Sequence, residues 1–340
     1  MIRVGVIGLG MMGLTHLDAY AAMEDVHVSA IADADAARLS GRAKAHGNIE
    51  GQAQGRFDFA TVQKFSDGLD LIRDAPVDVV DVCLPTPLHL KFALTAMAAG
   101  KHVMIEKPLA RTAADADQLA AAAARAGVIA MPGMCMRFWP GWTWLKNAVS
   151  ERQFGKTYAA QFRRVAAHPG GAFYCDANAC GGAALDLHIH DTDFVRYCFG
   201  DPISVQSRGY SKVTTGIDHI FTQYNYGDVP LVTAEGSWAM NAGFPFRMQY
   251  TVNFERATAV FDSSAPQPLM LYQAGEAPRA IEIEPGMGYE GEIAYFVQCV
   301  REKRQPTTVT LQDGAEAVRL VESELESIRL GWPVAPTLPA

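Results

Sequence analysis

A glycine-rich hexapeptide near the N-terminus constrains this 340-residue chain more than any other feature. Gly8-Leu9-Gly10-Met11-Met12-Gly13 follows the apolar segment RVGVI and precedes a helical pattern at about 11–23. In such a loop the first glycine permits a tight turn, the second lets a ligand approach the backbone, and the third lets helix and strand pack closely. The hexapeptide therefore predicts a strand, a turn and a helix whose N-terminus binds a pyrophosphate.

Strand-like and helix-like segments alternate through the first third of the chain. The strand-like segments are short and apolar: RVGVIG, VHVSAIAD, VDVVDVCLP, KHVMIEK and VIAMPGM. Helical patterns separate them, at 11–23, in an Ala/Arg-rich stretch after the second strand, and at about 88–99 and 112–126. Such alternation predicts a doubly wound parallel sheet covered on both faces, so residues 1–133 are expected to form an α/β Rossmann domain.

Beyond residue 133, long strand-like segments follow one another directly. They are KTYAAQFRRVAA, ISVQSRGYSKV, DHIFTQYNY, LVTAEGSWAM, FRMQYTVNF and ATAVFD. Turn sequences between them are typical of antiparallel pairs, and helical patterns occur at about 182–198, 288–303 and 312–330. Residues 134–340 are therefore predicted to form an α+β domain with a large, mostly antiparallel open sheet, which binds the substrate and forms oligomers.

Composition excludes several classes of partner. Lys plus Arg is 29 against 37 Asp plus Glu, which gives a net charge of −8, and no basic run is present, so nucleic acid is not an expected partner. No stretch approaches the roughly 18 apolar residues that cross a bilayer, so no membrane partner is expected either. The six cysteines show no paired spacing and no secretory leader is recognisable, which favours reduced thiols in the cytoplasm.

Asp33 ends the second predicted strand, 20 residues after Gly13. An acidic side chain at this distance accepts hydrogen bonds from an adenosine ribose and repels a 2′-phosphate, which favours NAD over NADP. Arg38, one helical turn later, is the cation that leaves NADP open. The alternative role for Asp33 is that of a helix N-cap.

Two further motifs carry chemistry. Glu106-Lys107-Pro108 ends the fifth predicted strand, and ligands bind at the carboxyl ends of strands in an open α/β sheet. The alternative for Lys107 is a solvated loop lysine. Farther on, the run GGAALDLHIHDTD at 181–193 opens a helix, which places Asp186 and His190 at i and i+4 on one helix face.

Together with PTPLH at 85–89, these motifs resemble the glucose-fructose oxidoreductase, inositol dehydrogenase and MocA family of NAD(P)-dependent sugar and polyol oxidoreductases. The resemblance covers nearly the whole chain, and it includes FVQCVREKRQP and ESIRLGWPV, which look like the last two helices of the family. It implies a hydride transfer between a secondary alcohol carbon of a sugar, sugar derivative or cyclic polyol and the nicotinamide. It also implies a homodimer or homotetramer formed through the open sheet face.

The resemblance implies roles for particular residues. Lys107, Asp186 and His190 would be catalytic, and the Lys107–Pro108 peptide would be cis. Asp193 would join these three in contacting the substrate, and the position of His168 after the strand KTYAAQFRRVAA makes it a further candidate for a substrate contact. The residues expected to bind the cofactor are Gly8, Gly10, Met11, Met12, Gly13, Asp33, Leu84, Thr86, His89, Glu106, Lys107 and Arg137.

The chemistry of alcohol oxidation supports the catalytic residues independently. A hydride leaves for the nicotinamide and a proton leaves the hydroxyl, and a histidine is matched to accept that proton near neutral pH, so His190 is the candidate general base. Lys107 would stabilise the developing alkoxide and keep the histidine deprotonated. Asp186 would orient the imidazole or bind a neighbouring hydroxyl.

Several residues have alternative interpretations. His188, His190, Asp191 and Asp193 could be metal ligands, but i and i+2 point to different sides of a helix, so we expect no metal ion and a half-buried His188 packed against the first domain. The tryptophans at 139, 142 and 144 indicate either a core or interface cluster or a sugar-stacking platform. His168 either reaches a polyol hydroxyl or belongs to its loop.

Two other functions remain open from the sequence. One is a glycosidase-like member of the family that uses NAD transiently, and the other is a regulator that binds the dinucleotide without catalysis. A regulator needs no general base, so the intact lysine and histidine favour an enzyme. The strands of the second domain carry apolar residues that lie either under the helices or on an open face, where they would predict association: Phe221, Tyr224, Tyr226, Val232, Trp238, Phe246, Met248, Tyr250 and Val252.

Overall fold

Two units make up the protein, whose computed structural model describes residues 1–42 and 55–337. Unit 1 contains Met1–Cys135 and Gly288–Ala315, and unit 2 contains Met136–Met287 and Glu316–Ala340. The sequence pattern assigns all residues after 133 to the second domain, whereas Gly288–Ala315 belongs to unit 1. Packing explains the difference, because Leu311 and Ala315 are buried in the same core cluster as residues of the first sheet.

Unit 1 is built on a six-stranded sheet in the order β3-β2-β1-β4-β5-β6, in which every pair is parallel. The predicted doubly wound fold is confirmed. Its strands are β1 (Ile2–Ile7), β2 (Val26–Ala32), β3 (Gln63–Phe65), β4 (Val79–Val82), β5 (His102–Glu106) and β6 (Ala130–Gly133). Its first five helices are α1 (Met11–Ala21), α2 (Ala36–Leu39), α3 (Gly68–Asp74), α4 (His89–Ala98) and α5 (Ala113–Ala126).

Two parts of unit 1 differ from the predicted pattern. Strand β3 and helix α3 have no counterpart among the predicted segments, since both are short and of mixed polarity. The Ala/Arg-rich stretch forms a helix over Ala36–Leu39, and residues 43–54 lie outside the described residues.

Unit 2 is built on an eight-stranded sheet in the order β14-β13-β12-β11-β7-β10-β9-β8. All its pairs are antiparallel except β10 with β7, so the predicted, mostly antiparallel sheet is confirmed. Its strands are β7 (Thr157–Ala167), β8 (Ser204–Tyr210), β9 (His219–Asn225), β10 (Leu231–Met240), β11 (Arg247–Phe254), β12 (Thr258–Asp262), β13 (Leu269–Tyr272) and β14 (Arg279–Ala280). Its helices include α6 (Pro140–Ser150), α7 (Ala172–Cys175), α8 (Ala177–Cys180) and α9 (Ile189–Phe199).

Two helices close the chain, as predicted. Helix α10 (Gly288–Glu302) belongs to unit 1, and the boundary between the units falls within helix α11 (Leu311–Leu330). No helix among the described residues is long and apolar enough to cross a membrane.

One face of the unit 2 sheet is an aromatic core. Trp142 of α6 is fully buried, with its ring 5.6 Å from Phe162, 4.8 Å from Phe194 and 5.5 Å from Tyr250 between centroids. Trp142 therefore belongs to the core, rather than to a sugar-stacking platform.

The apolar residues cited for association also lie mostly in this core. Tyr224, Val232, Trp238, Met248, Tyr250 and Val252 are buried, and Phe221 is 44% exposed. The face under the helices is therefore the placement that holds for these six residues, since alternate residues of a strand point to opposite faces.

Candidate active site

The glycine-rich loop joins β1 to α1 and has the geometry of a phosphate-binding turn. Gly8 has a φ of +94°, and a Cβ there would overlap the Cys83 carbonyl oxygen. A Cβ at Gly13 would overlap the Gly8 carbonyl oxygen, so two of the three glycines are required by backbone packing. At Gly10 a Cβ would meet nothing within 4 Å, so the backbone surface there is open to a ligand.

Asp33 lies beside this loop at the end of β2. Its Oδ2 accepts the backbone N–H of Leu9 at 2.8 Å, and its Oδ1 accepts that of Asp35 at 2.8 Å. The N-cap of α2 is Asp35, whose side chain accepts the N–H of Ala37, so the capping role considered for Asp33 is excluded. Arg38 Nη1 is 3.5 Å from Asp33 Oδ2.

The segment after β4 contains three of the predicted cofactor-binding residues. Thr86 is buried at the start of a 3₁₀ turn, and Leu84 is half-buried. His89 is fully buried, with ring nitrogens 3.0 Å from the Pro108 carbonyl oxygen and 2.7 Å from that of Leu84, and burial lowers its pKa. Both ring nitrogens therefore contact backbone carbonyl oxygens, and the expected contact of His89 with the cofactor stays a prediction.

Lys107 follows β5 directly and is half-buried. The Lys107–Pro108 peptide is cis, which confirms the prediction. The backbone N–H of Lys107 donates to Glu106 Oε2 at 2.9 Å, and Glu106 Oε1 lies 3.1 Å from His16 Nε2. Both carboxylate oxygens of Glu106 therefore contact groups of the protein itself.

Asp186 and His190 do not lie on a regular α-helix. Asp186 is buried within a π-helical turn at Ala184–His188, and His190 is half-buried in the first turn of α9. The expected i, i+4 stacking therefore needs correction, because a π-helical turn bonds i to i+5 and rotates its side chains relative to an α-helix. Turns of this type are frequent at functional sites.

His188 is fully buried inside unit 2, which corrects the expectation of a half-buried side chain packed against the first domain. It packs on β10 at Gly236, where a Cβ would lie 2.6 Å from the His188 Cβ. Its Nε2 is 3.4 Å from Glu324 Oε2 of α11 and 3.4 Å from the Tyr224 hydroxyl. Tyr224 donates to Glu324 at 2.7 Å, and burial, then Glu324, raises the pKa of Tyr224.

Both acids after His190 form buried ion pairs. Asp191 accepts two hydrogen bonds from Arg164, at 2.8 and 3.1 Å. Asp193 accepts two from Arg137, at 2.9 and 2.7 Å, and both side chains of this pair are almost fully buried. Bidentate pairs of this kind are strong and directional, so this pair has a structural role, and the expected contacts of Asp193 with the substrate and of Arg137 with the cofactor stay predictions.

His168 belongs to the loop after β7. Its Nδ1 accepts the N–H of Gly170 at 3.1 Å, its Nε2 lies 3.3 Å from the Tyr174 carbonyl oxygen, and its ring packs edge-on against Trp238. With both nitrogens used within the loop, the loop role is the one the geometry favours over contact with a polyol.

A buried polar cluster in unit 1 is missing from the predicted site. His16 Nδ1 is 2.8 Å from Asp81 Oδ2, which also accepts the Tyr20 hydroxyl at 2.9 Å. Burial raises the pKa of Tyr20 and of Cys83, which lies 3.4 Å from both His16 and Asp81. The one sequence signal for it is the placement of polar residues inside apolar segments, as with Asp81 in VDVVDVC.

Comparison with known protein families defines the class. Residues 2–134 match the model of an oxidoreductase family with an NAD-binding Rossmann fold, and residues 142–260 match the GFO/IDH/MocA C-terminal domain. The protein is thus an NAD-binding oxidoreductase. More particularly, the chain belongs to the Gfo/Idh/MocA family, which confirms the resemblance seen in its motifs.

Individual relatives agree with this assignment. The uncharacterized oxidoreductase YrbE of Bacillus subtilis (strain 168) is 25% identical over 347 residues, which cover 98% of this chain and 96% of that protein. Myo-inositol 2-dehydrogenase of Thermotoga maritima is 32% identical over 202 residues, 59% of this chain and 56% of its own. In fold, the chain is similar to levoglucosan dehydrogenase solved with NADH and L-sorbose, with a TM-score of 0.86, 19% identity and 99% of each chain covered.

The residues of unit 1 fit the NAD that this family binds. Gly10 leaves open backbone surface at the N-terminus of α1, where N–H groups can donate hydrogen bonds to a pyrophosphate. Asp33 places a carboxylate beside the same loop, where a ribose hydroxyl can donate to it.

Proposed function

We propose that this protein catalyses hydride transfer between NAD and a secondary alcohol carbon of a sugar, sugar derivative or cyclic polyol. The observation that carries the proposal is the position of Lys107, which directly follows β5 of the NAD-binding unit and whose peptide N–H is held by Glu106. The carboxyl ends of strands are where open α/β sheets bind ligands. The names of relatives, inositol 2-dehydrogenase and levoglucosan dehydrogenase, support the substrate class.

In the proposed chemistry, the alcohol loses a hydride from its carbon to one acceptor and a proton from its hydroxyl to another. NAD, when bound, supplies the acceptor for the hydride that leaves the carbon. His190 accepts the hydroxyl proton, and the Lys107 ammonium stabilises the negative charge that develops on the oxygen. Asp186 orients the imidazole or accepts a hydrogen bond from a neighbouring hydroxyl.

Cofactor binding is assigned to the loop and the strand ends of unit 1. Gly8, Gly10 and Gly13 shape the turn, and the backbone of Met11 and Met12 offers N–H groups at the start of α1. Asp33 accepts the adenosine ribose hydroxyls, which favours NAD over NADP. Thr86 and Leu84 line the nicotinamide end in this assignment.

A spectrophotometric screen tests the proposal directly. Purified protein is incubated with inositols, aldoses, anhydro-sugars and glycosides, with NAD and NADP in parallel, and NADH formation is followed by absorbance. We expect turnover with at least one polyol or sugar and a higher kcat/KM with NAD. Cleavage of a glycoside without net NADH formation would instead establish the glycosidase-like chemistry, and NAD binding without turnover of any compound would favour a regulator.

A further inference from the structure

A chain of buried ionisable groups in unit 1 ends on the Lys107 peptide. His16 of α1 is at its centre, 2.8 Å from Asp81 Oδ2 through Nδ1 and 3.1 Å from Glu106 Oε1 through Nε2. Glu106 uses its other oxygen to accept the backbone N–H of Lys107 at 2.9 Å. A change in the charge or orientation of Glu106 therefore alters the hydrogen bond that holds the backbone of Lys107.

Glu292 of α10 is a further acid of this cluster. Its side chain is fully buried, and neither of its carboxylate oxygens has a hydrogen-bond partner among the described residues. Potential ligand atoms of Glu292, Glu106 and His16 lie within 4.8 Å of one another. A buried carboxylate with no hydrogen bonds and another carboxylate at this distance is strongly disfavoured in its ionised form.

The groups that face Glu292 come from three packed elements and from its own helix. They are His16 of α1, Asp81 of β4, Glu106 of β5 and Glu290 of α10. Burial, followed by the charge of Glu106, raises the pKa of Glu292 well above its ordinary value, and the opposing effect of His16 is smaller. Burial acts against a charge on His16, but Asp81 and then Cys83 raise its pKa well above the usual range.

We propose that Glu292 is a positioning residue that stays protonated and, after a rotation of its side chain, donates its O–H to the Glu106 carboxylate, which lies within 4.8 Å and holds the Lys107 peptide. The inference rests on the proposed function, because it concerns the lysine assigned to catalysis. With Glu292 neutral, the His16 cation is flanked by the anions of Asp81 and Glu106. Ionisation of Glu292 would add a third anion and repel the carboxylate that holds Lys107.

The same side chains could also be imagined as ligands of a divalent metal ion. A metal ion needs an unprotonated histidine nitrogen, whereas both nitrogens of His16 face carboxylates, an arrangement that favours the imidazolium. The geometry therefore favours a shared proton, and metal binding is the alternative that the experiment must exclude.

The first measurement is thermal unfolding between pH 5 and pH 8, which needs no substrate. It compares the wild type with Glu292→Gln, which mimics the protonated acid, and with Glu24→Gln, a control at an exposed position outside the cluster. A carboxyl group with a raised pKa stabilises the fold fully below its unfolded value near 4.5 and progressively less as the pH rises toward its folded value. We expect the Tm advantage of Glu292→Gln over the wild type to grow with pH, while Glu24→Gln follows the wild type.

The second measurement addresses positioning and uses a substrate found in the screen. We expect Glu292→Gln to keep kcat at pH 7 within about threefold, and to hold it at alkaline pH where the wild type declines. Glu292→Leu, which cannot donate a hydrogen bond, should lower kcat by roughly tenfold or more with the Kd for NADH nearly unchanged. If Glu292→Leu does not fold, infrared spectroscopy replaces this kinetic comparison. The carbonyl band of a protonated acid should then be present in the wild type and absent in Glu292→Gln.

Four outcomes would overturn the inference. One is a Tm difference between Glu292→Gln and the wild type that is constant across this pH range, and another is equal kcat in the Gln and Leu variants. A third is the absence of the infrared band in the wild type. The last is a loss of Tm on treatment with EDTA that added Zn²⁺ or Mg²⁺ restores, which would make the cluster a metal site. If no sugar or polyol is turned over, the proposed function fails, while the unfolding and infrared results still decide the state of Glu292.

Discussion

At the scale of single residues, Asp33 is the group that should determine the choice of cofactor. Its carboxylate holds Leu9 of the glycine-rich loop and lies 3.5 Å from Arg38. In Asp33→Ser the repulsion of a 2′-phosphate is lost and Arg38 gains an anion to bind. Since a hydrogen bond to a charged group contributes about 1.5–3 kcal/mol, we expect the ratio of kcat/KM for NAD to that for NADP to fall by roughly 10- to 100-fold.

Asp35→Ser is the matched control for this change. Asp35 also faces Arg38, at 3.9 Å, but it caps α2 and lies away from Leu9. Its replacement should leave the cofactor ratio close to that of the wild type. A wild type that uses NADP as well as NAD, or an Asp33→Ser variant with an unchanged ratio, would remove Asp33 from cofactor selection.

Lys107 and His190 are expected to act on the transition state rather than on cofactor binding. Lys107→Ala and His190→Ala should each lower kcat by about 100-fold or more, because each removes an interaction that is strongest when the alkoxide forms. The Kd for NADH, measured by fluorescence titration, should change little. Lys64→Ala, at an exposed position of β3, serves as the control, and wild-type turnover in either active-site variant would exclude that residue from the mechanism.

At the scale of elements, the π-helical turn at Ala184–His188 depends on a glycine in the neighbouring strand. A Cβ at Gly236 of β10 would lie 2.6 Å from the His188 Cβ and 2.7 Å from its Nδ1. Gly236→Ala should displace this turn and with it Asp186 and His190. We expect a loss of about 1–3 kcal/mol in the free energy of unfolding, as in other overpacked cores, together with a lower kcat.

Urea unfolding and steady-state kinetics check this prediction. Gly227→Ala is the control, since a Cβ at Gly227 would meet no atom closer than 3.9 Å. Equal stability and equal kcat for Gly236→Ala and the wild type would show that the turn does not need this glycine.

Elements with a strong local pattern could be predicted, and long-range partnerships could not. The alternation of short apolar strands with amphipathic helices predicted the parallel sheet, and the strand ends predicted the places of Asp33 and Lys107. The partners Arg137 and Asp193 are 56 residues apart, and no local pattern indicates which arginine meets which acid. The π-helical turn was missed for a related reason, because it packs against Gly236, whose position is set by the fold of a distant strand.

At the scale of the whole molecule, the second face of the unit 2 sheet carries a largely polar row of side chains. The strand register places Phe221, Glu235, Arg163, Gln249 and Asp262 in one row across five strands. Arg163 donates to Glu235 at 3.0 Å and to Gln249 at 3.3 Å, and Gln249 donates to Asp262 at 2.7 Å. Beside these hydrogen-bonded groups, Phe221 is an exposed aromatic side chain on an otherwise polar row.

Association through this face therefore stays a prediction, now with a different physical basis. Interfaces that are not obligate are rich in aromatic and arginine side chains with a hydrogen-bonded polar surround, which matches Phe221 and its row better than an apolar patch would. We expect light scattering to give two or four times the chain mass of 36.8 kDa, and Phe221→Glu to lower it toward 36.8 kDa by burying a charge at the contact. Trp332→Glu, at an exposed residue outside the sheet, should keep the wild-type mass, and a fully active wild-type monomer at micromolar concentration would contradict the prediction.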